Sequence, residues 1–403
     1  MKGRDKFQRF IEKYPHSHTP FYSRPHWTRR RFFQLFGGAM TASMLGREAV
    51  AGEVSSSAST TPKSTARNVI FVLLTGAPSH IDTFDFHMVN GVTPAALAPE
   101  TINGIVWPAG LLPRLSGNLP EMAIVRSARA WALVHSLAQT WAQIGRNPAA
   151  ALGDIAPNIG SVVAIEKQAE RRPTDVFPTF LAFNTNQVAG SGYLPSAYAP
   201  FKFTPASGQP SLGLPNVTPA SGFDARWELL QGLDRELRNA SPLGSEVEDY
   251  GHFYDQAKGM MDNAQPGGPV DQAFKFTAED AERYGNTNFG AACLVAKQVL
   301  EADRGTRYVE IVLNGWDHHQ NIYDANNLPR MSTMLDGGVS ALLTDLKASG
   351  QLDKTLVVMM GEFGSGAVIG RRRPRSLSAT VRGVRRRRCA RRPRDRFHRF
   401  HRC

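Results

Sequence analysis

Three short apolar runs constrain this chain more than any other feature. They are Asn68-Val69-Ile70-Phe71-Val72-Leu73-Leu74, Tyr308-Val309-Glu310-Ile311-Val312-Leu313 and Thr355-Leu356-Val357-Val358-Met359-Met360. Their β-branched and aliphatic residues follow one another without regular polar alternation. Strands of that kind are buried on both faces, as in a parallel sheet covered by helices. None is long enough to span a bilayer. A glycine just beyond each run opens a polar loop: Gly76-Ala77-Pro78-Ser79-His80-Ile81-Asp82-Thr83-Phe84-Asp85, then Gly315-Trp316-Asp317-His318-His319, then Gly361-Glu362-Phe363-Gly364. In open α/β sheets, ligands bind beyond the carboxyl ends of the strands. The loops therefore carry Asp, His and Glu to the edge where sites are built. These are hard oxygen and imidazole donors that suit zinc, manganese or magnesium.

The order Gly-x-Pro-Ser-His-x-Asp-Thr-Phe-Asp, Tyr284-Gly285, Gly-Trp-Asp-x-His and Gly-Glu-Phe-Gly resembles the bacterial domain-of-unknown-function family 1501. That family is a branch of the alkaline phosphatase and sulfatase-like superfamily, and the resemblance runs from about Arg67 to Gly364. It implies an α/β fold with a mostly parallel sheet sandwiched by helices, alkaline phosphatase-like, and a metal site at the strand ends. It also implies Asp82, Asp317, His319 and Glu362 as metal ligands, with His318 replacing His319 if the loop register differs. The ion would be zinc, manganese, magnesium or calcium. Known members of the superfamily hydrolyse phosphate or sulfate esters. Ser79, Ser127 and His135 are the catalytic candidates: Ser79 from the first loop, and the others from an Arg-Ser and a later His that recur at this point in the family.

The family pattern continues past Gly-Glu-Phe-Gly into Arg-Thr-Pro and later Gly-Arg-Asp-His, and here it does not. Residues 371–403 hold fifteen Arg and one acidic residue, Asp395, a charge of +14. Permitted codons for Arg373 to Ser378, moved forward by one nucleotide, read Gly-Arg-Asp-His-Tyr. The run is therefore read as an out-of-frame tail rather than a nucleic-acid arm, and it is expected not to pack on the body. Residues 1–51 hold ten Lys or Arg and three acids, +7, so of the chain's +12 the remainder, 52–370, carries −9. Nothing in that balance advertises binding to nucleic acid or to an anionic membrane. Cys389 and Cys403 lie in the tail, so Cys293 is alone in the body and is expected in the core.

Thr28-Arg29-Arg30-Arg31-Phe32-Phe33-Gln34, followed by the apolar run Leu35 to Leu45 and by Ala49-Val50-Ala51, resembles a twin-arginine export signal. The expected partner is the twin-arginine export machinery, the location is periplasm or cell envelope, and no transmembrane segment is expected. Residues 1–51 are thus a signal region, 52–66 a linker, and 67–370 the α/β domain. Within that domain Met122 to Ser127 and Phe177 to Phe183 read as strands. Residues 186–222 read as a lid or loop insertion, 223–263 and 275–303 as helices, and Leu335 to Leu352 as a helix with Leu342, Leu343 and Leu346 on one face. The expected function is an exported metal-dependent hydrolase of a phosphate or sulfate ester, small-molecule or polymeric, inactive with the present tail. The alternative is a non-catalytic envelope binding or assembly protein with the same fold.

Overall fold

The protein is represented by a computed structural model, which describes residues 65–130, 132, 134–150, 153, 155–185, 187–205, 223–239, 245–364 and 376–381. The chain divides into Met1–Ser64 and Thr65–Cys403, and every described residue belongs to the second unit. The export motif at residues 28–34 and most of the linker lie outside the described residues.

Nine strands are present among the described residues: β1 Asn68–Thr75, β2 Pro99–Ile102, β3 Ile105–Pro108, β4 Ala123–Arg129, β5 Phe180–Phe183, β6 Phe201–Phe203, β7 Tyr308–Asn314, β8 Thr355–Gly361 and β9 Ser376–Val381. Seven form one sheet in the order β4-β9-β8-β1-β7-β5-β6, and β2 and β3 form a separate hairpin. β1 pairs in parallel with β7 and with β8, and β5 in parallel with β7 and β6. β9 runs antiparallel to both its neighbours. The three apolar runs of the sequence thus occupy the middle of the sheet. Their register is level: Thr75 is opposite Asn314, and Leu74 is opposite both Leu313 and Gly361. Three loops consequently leave the sheet side by side.

The helices are α1 His135–Ile144, α2 Ile159–Glu166, α3 Phe223–Asn239, α4 Ser245–Asp262, α5 Pro269–Phe274, α6 Ala278–Arg283, α7 Asn288–Ala302 and α8 Leu328–Ala348. Alternate residues of β1 feed two cores, as the two-residue strand period requires. Ile70, Val72 and Leu74 join the larger core with α5, α7 and α8, whose Leu342, Leu343 and Leu346 are all buried. Phe71 and Leu73 join a smaller core with Ala164 of α2, against which Ala142 of α1 also packs. Cys293 is buried and free, and burial raises its thiol. No helix among the described residues is long and apolar enough to cross a membrane.

Several sequence expectations need correction. The strand expected at Phe177–Phe183 starts only at Phe180, because Pro178 has no N–H for a central ladder. The helix expected over 275–303 is broken at Gly285 and Asn286, both with positive φ (90° and 46°), which end α6 before Thr287 caps α7. The helix expected over 223–263 is described as Phe223–Asn239 and Ser245–Asp262, and residues 240–244 lie outside the described residues. The last helix begins earlier, at Leu328 with Pro329 in its first turn, and stops at Ala348, leaving Leu352 in a 3-10 turn. The insertion at 186–222 is not all loop: Phe201–Phe203 adds the edge strand β6, where Phe203 packs on Phe183 at a 4.6 Å centroid distance. Residues 206–222 lie outside the described residues. Finally, the expectation that residues 371–403 stay off the body fails for Ser376–Val381. That arginine-free stretch fills the slot between β4 and β8, whose facing edges would otherwise leave their backbone groups unpaired.

Candidate functional site

The loop after β1 turns at Gly76 (φ 105°) and Ala77 (φ 62°). A Cβ on Gly76 would lie 2.4 Å from the amide nitrogen of Asp317 and 2.9 Å from Trp316 backbone atoms. The first and second loops therefore touch backbone to backbone, and only glycine permits it. The third loop closes on the first in the same way: a Cβ on Gly361 would meet the Pro78 ring at 2.7 Å. The Thr75 hydroxyl donates to the Asn314 side-chain oxygen at 3.1 Å, tying the ends of β1 and β7 together.

On this platform the polar side chains form two groups. In the first, Glu362 is 1% exposed. Its Oε1 accepts from the Gly76 amide at 2.8 Å and from Gln139 Nε2 at 3.1 Å, and faces His135 Nδ1 at 2.7 Å. Its Oε2 is buried with no partner. His135 Nε2 lies 3.4 Å from Asp317 Oδ1, which His319 Nε2 also approaches at 2.9 Å. His135 is thus held between two carboxylates, with Phe363 against its ring at 4.8 Å. If Nδ1 donates to Glu362, Nε2 holds a proton for Asp317 only as imidazolium. Asp317 is half exposed, and His319 is the most open of the four.

In the second group Asp82 has no exposed surface. Ser79 Oγ donates to its Oδ2 at 2.5 Å, and Tyr323 OH donates to its Oδ1 at 2.9 Å. Burial and the Asp82 charge push the Tyr323 hydroxyl up to about 12, so it stays a donor. Ser79 is itself buried. Asp85 turns elsewhere, to His87 at 3.4 Å and Arg126 at 3.5 Å.

The structure thus brings His135, Asp317, His319 and Glu362 into one chain of close polar contacts and joins Ser79 to Asp82. His319, rather than His318, contacts Asp317; burial lowers the His318 imidazole. The Ser127 side chain lies outside the described residues. Among the described residues, no three His, Cys, Asp or Glu side chains converge as metal ligands do. Two participants escaped the sequence reading, Gln139 and Tyr323. Gln139 could have been found as the residue one helical turn after His135; nothing local marks Tyr323.

The molecule is therefore an α/β protein with a mostly parallel sheet and a carboxylate–imidazole cluster at its carboxyl edge. The chain belongs to the family described as Protein of unknown function (DUF1501), whose model matches residues 66–372. A search of curated protein sequences finds no match. Among solved structures, the chain is similar to the lipoteichoic acid synthase LtaP from Listeria monocytogenes, with 12% identity, a TM-score of 0.33, and coverage of 76% of this chain and 60% of that one. A protein of the alkaline phosphatase superfamily from Vibrio parahaemolyticus gives 10% identity, a TM-score of 0.34, and coverage of 79% and 60%. The chain thus spans about 60% of the length of these two structures. Alkaline phosphatase from the Antarctic bacterium TAB5 gives 13% identity, a TM-score of 0.31, and coverage of 78% and 91%.

Proposed function

We propose that this edge of the sheet is a divalent-metal site of a phosphate or sulfate ester hydrolase. The observation that carries the proposal is Glu362: a wholly buried carboxylate with one oxygen saturated by three neighbours and the other unpartnered. A buried carboxylate oxygen left bare is costly unless a cation or donor meets it. The donor types fit. Asp317, His319 and Glu362 would hold the ion, with Asp82 joining if a hydroxyl leaves it. The bound ion would polarise the ester's phosphoryl or sulfuryl oxygen. Asp82 Oδ2, already on the Ser79 hydroxyl, is placed to take that proton if Ser79 attacks. His135, partly exposed between the carboxylates, is placed to exchange a proton with a bound ester.

Metal content and calorimetric Zn2+ and Mn2+ titration of the frame-corrected chain test this. Asp317→Ala and Glu362→Ala should each weaken binding by at least about tenfold. Stoichiometric metal retained in both variants refutes the site. A second reading is a non-catalytic envelope binding or assembly protein that keeps the fold, in which Asp317 serves to hold His135 and His319. Metal bound tightly with no turnover of phosphate or sulfate monoesters, even in a frame-corrected chain, would select it.

The proposal extends to both ends of the sequence. The family match stops at residue 372, where the arginine run begins. This supports an out-of-frame tail, and the gene between the codons of Gly364 and Arg373 should restore Gly-Arg-Asp-His on a one-base correction. A confirmed uninterrupted frame there defeats the idea. The Arg29-Arg30 motif supports export by the twin-arginine route to the periplasm or envelope. Replacing both arginines by lysine should leave the precursor in the cytoplasm by fractionation; normal export of that variant rejects the assignment.

A further inference from the structure

A further buried carboxylate lies away from the strand ends. Glu310 sits in the middle of β7, opposite Phe71 of β1 and Ala182 of β5, with no exposed surface. Its Oε2 accepts from Asn158 Nδ2 at 3.0 Å, and its Oε1 is buried without a partner. An acid at the centre of a parallel sheet carries a large desolvation cost, which folding alone does not require.

Asn158 is fully buried and caps α2, its Oδ1 taking the Gly160 amide at 2.7 Å. Gly160 allows that close seating: a Cβ there would lie 2.7 Å from the rings of Phe180 and Tyr308. Asn158 Nδ2 also reaches Gln143 Oε1 at 3.4 Å, and that same oxygen takes the Ala189 amide at 2.6 Å. Gln143 Nε2 donates to the main-chain carbonyl of Gln139 at 3.2 Å, and the Gln139 side chain separately donates its Nε2 to Glu362. His135, Gln139 and Gln143 are spaced by four residues, so they line one face of α1.

We infer that buried Glu310, Asn158 and Gln143, with the half-buried Gln139, form a positioning relay that sets α1, and through it His135, against Glu362. The functional meaning of the relay rests on the proposed metal site; its existence does not. The bonds from Glu310 to Asn158 and from Asn158 to Gln143 join side chains, whereas Gln143 bonds the backbone of α1, so a shift at Gln143 reaches Gln139 and His135 through the helix itself. Ionising Glu310 strengthens the Asn158 bond at the expense of the longer one to Gln143, and the change passes along α1. Burial holds the Glu310 carboxyl up at about 7, within the range where such a change is expressed. The groups facing it are neutral amides and apolar side chains; Tyr308, on its own strand, is the titratable group that feels its charge.

Side-chain amide NMR of the metal-free full chain across the Glu310 titration tests the relay. The Asn158, Gln143 and Gln139 amides should shift with a common midpoint. The isosteric Glu310→Gln should remove that shift from all three. Gln143→Met should leave it in Asn158 and remove it from Gln139. A Gln139 titration that survives unchanged in Glu310→Gln overturns the relay. Zn2+ calorimetry adds a separate readout, with affinity expected to fall about tenfold in Gln143→Met, as for residues that orient ligands. A frame-corrected chain that binds no Zn2+ defeats the metal proposal, while the amide shifts still decide the relay.

Discussion

Gly76→Ala is expected to destabilise the protein by about 4 kcal/mol, combining backbone strain with overpacking. The φ of 105° is strained for any L side chain, and the new methyl would lie 2.4 Å from the Asp317 nitrogen. Backbone is on both sides of that collision, so no rotamer relieves it. Relief requires the first and second loops to part. That separation also draws the Gly76 amide off Glu362 and shifts Asp317 away from His135. Urea unfolding of wild type and variant measures the loss. Gly91→Ala is the control, with φ 75° and open space around its Cβ. It should cost only about 1 kcal/mol, the strain alone. If the two variants lose the same amount, the loop contact at Gly76 is not what holds the site together.

That contact also shows how far the sequence can be read. β1, β7 and β8 were legible because residues buried on both faces leave an unbroken apolar signature, and so the loops after them were legible too. Asp317 and Glu362 could be placed at one edge without any structure. What joins them could not: His135 and Glu362 are 227 residues apart, and only the level register of the strands and the course of α1 bring them together. Elements set by single residues were lost. The β2–β3 hairpin turns on Asn103-Gly104, both with positive φ, a signal present in the sequence but outweighed by the lack of long apolar runs beside it. β6 is three residues inside a Pro- and Gly-rich stretch, too short for any period to show. The arginine run hid Ser376–Val381, because a composition averaged over the tail masks six residues able to pair.

Glu310 was in plain view as the one acid within an apolar run, and its expected effect on stability is the reverse of a usual buried contact. Glu310→Gln should stabilise the protein by about 3 kcal/mol at pH 8 and by less than about 1 kcal/mol at pH 5. Burial raises the folded-state carboxyl from 4.5 to about 7. Between those values the folded protein holds a proton that the unfolded chain has released. The stability linked to that proton is complete below the unfolded value and is lost as pH rises through the folded one. Above it, wild type carries a buried charge with a single hydrogen bond, whereas glutamine is neutral at every pH and can keep an oxygen on Asn158. Urea midpoints for both proteins at the two pH values measure the difference. A gap that does not change with pH would mean the carboxyl is not ionising inside the sheet. If the gap opens as expected, wild type gives up stability at neutral and higher pH for a group that a neutral isostere could replace. Such a residue is kept for what its charge does. Its hydrogen bonds reach α1 through Asn158 and Gln143, and α1 carries Gln139 and His135 to Glu362, where the loops of β1, β7 and β8 meet.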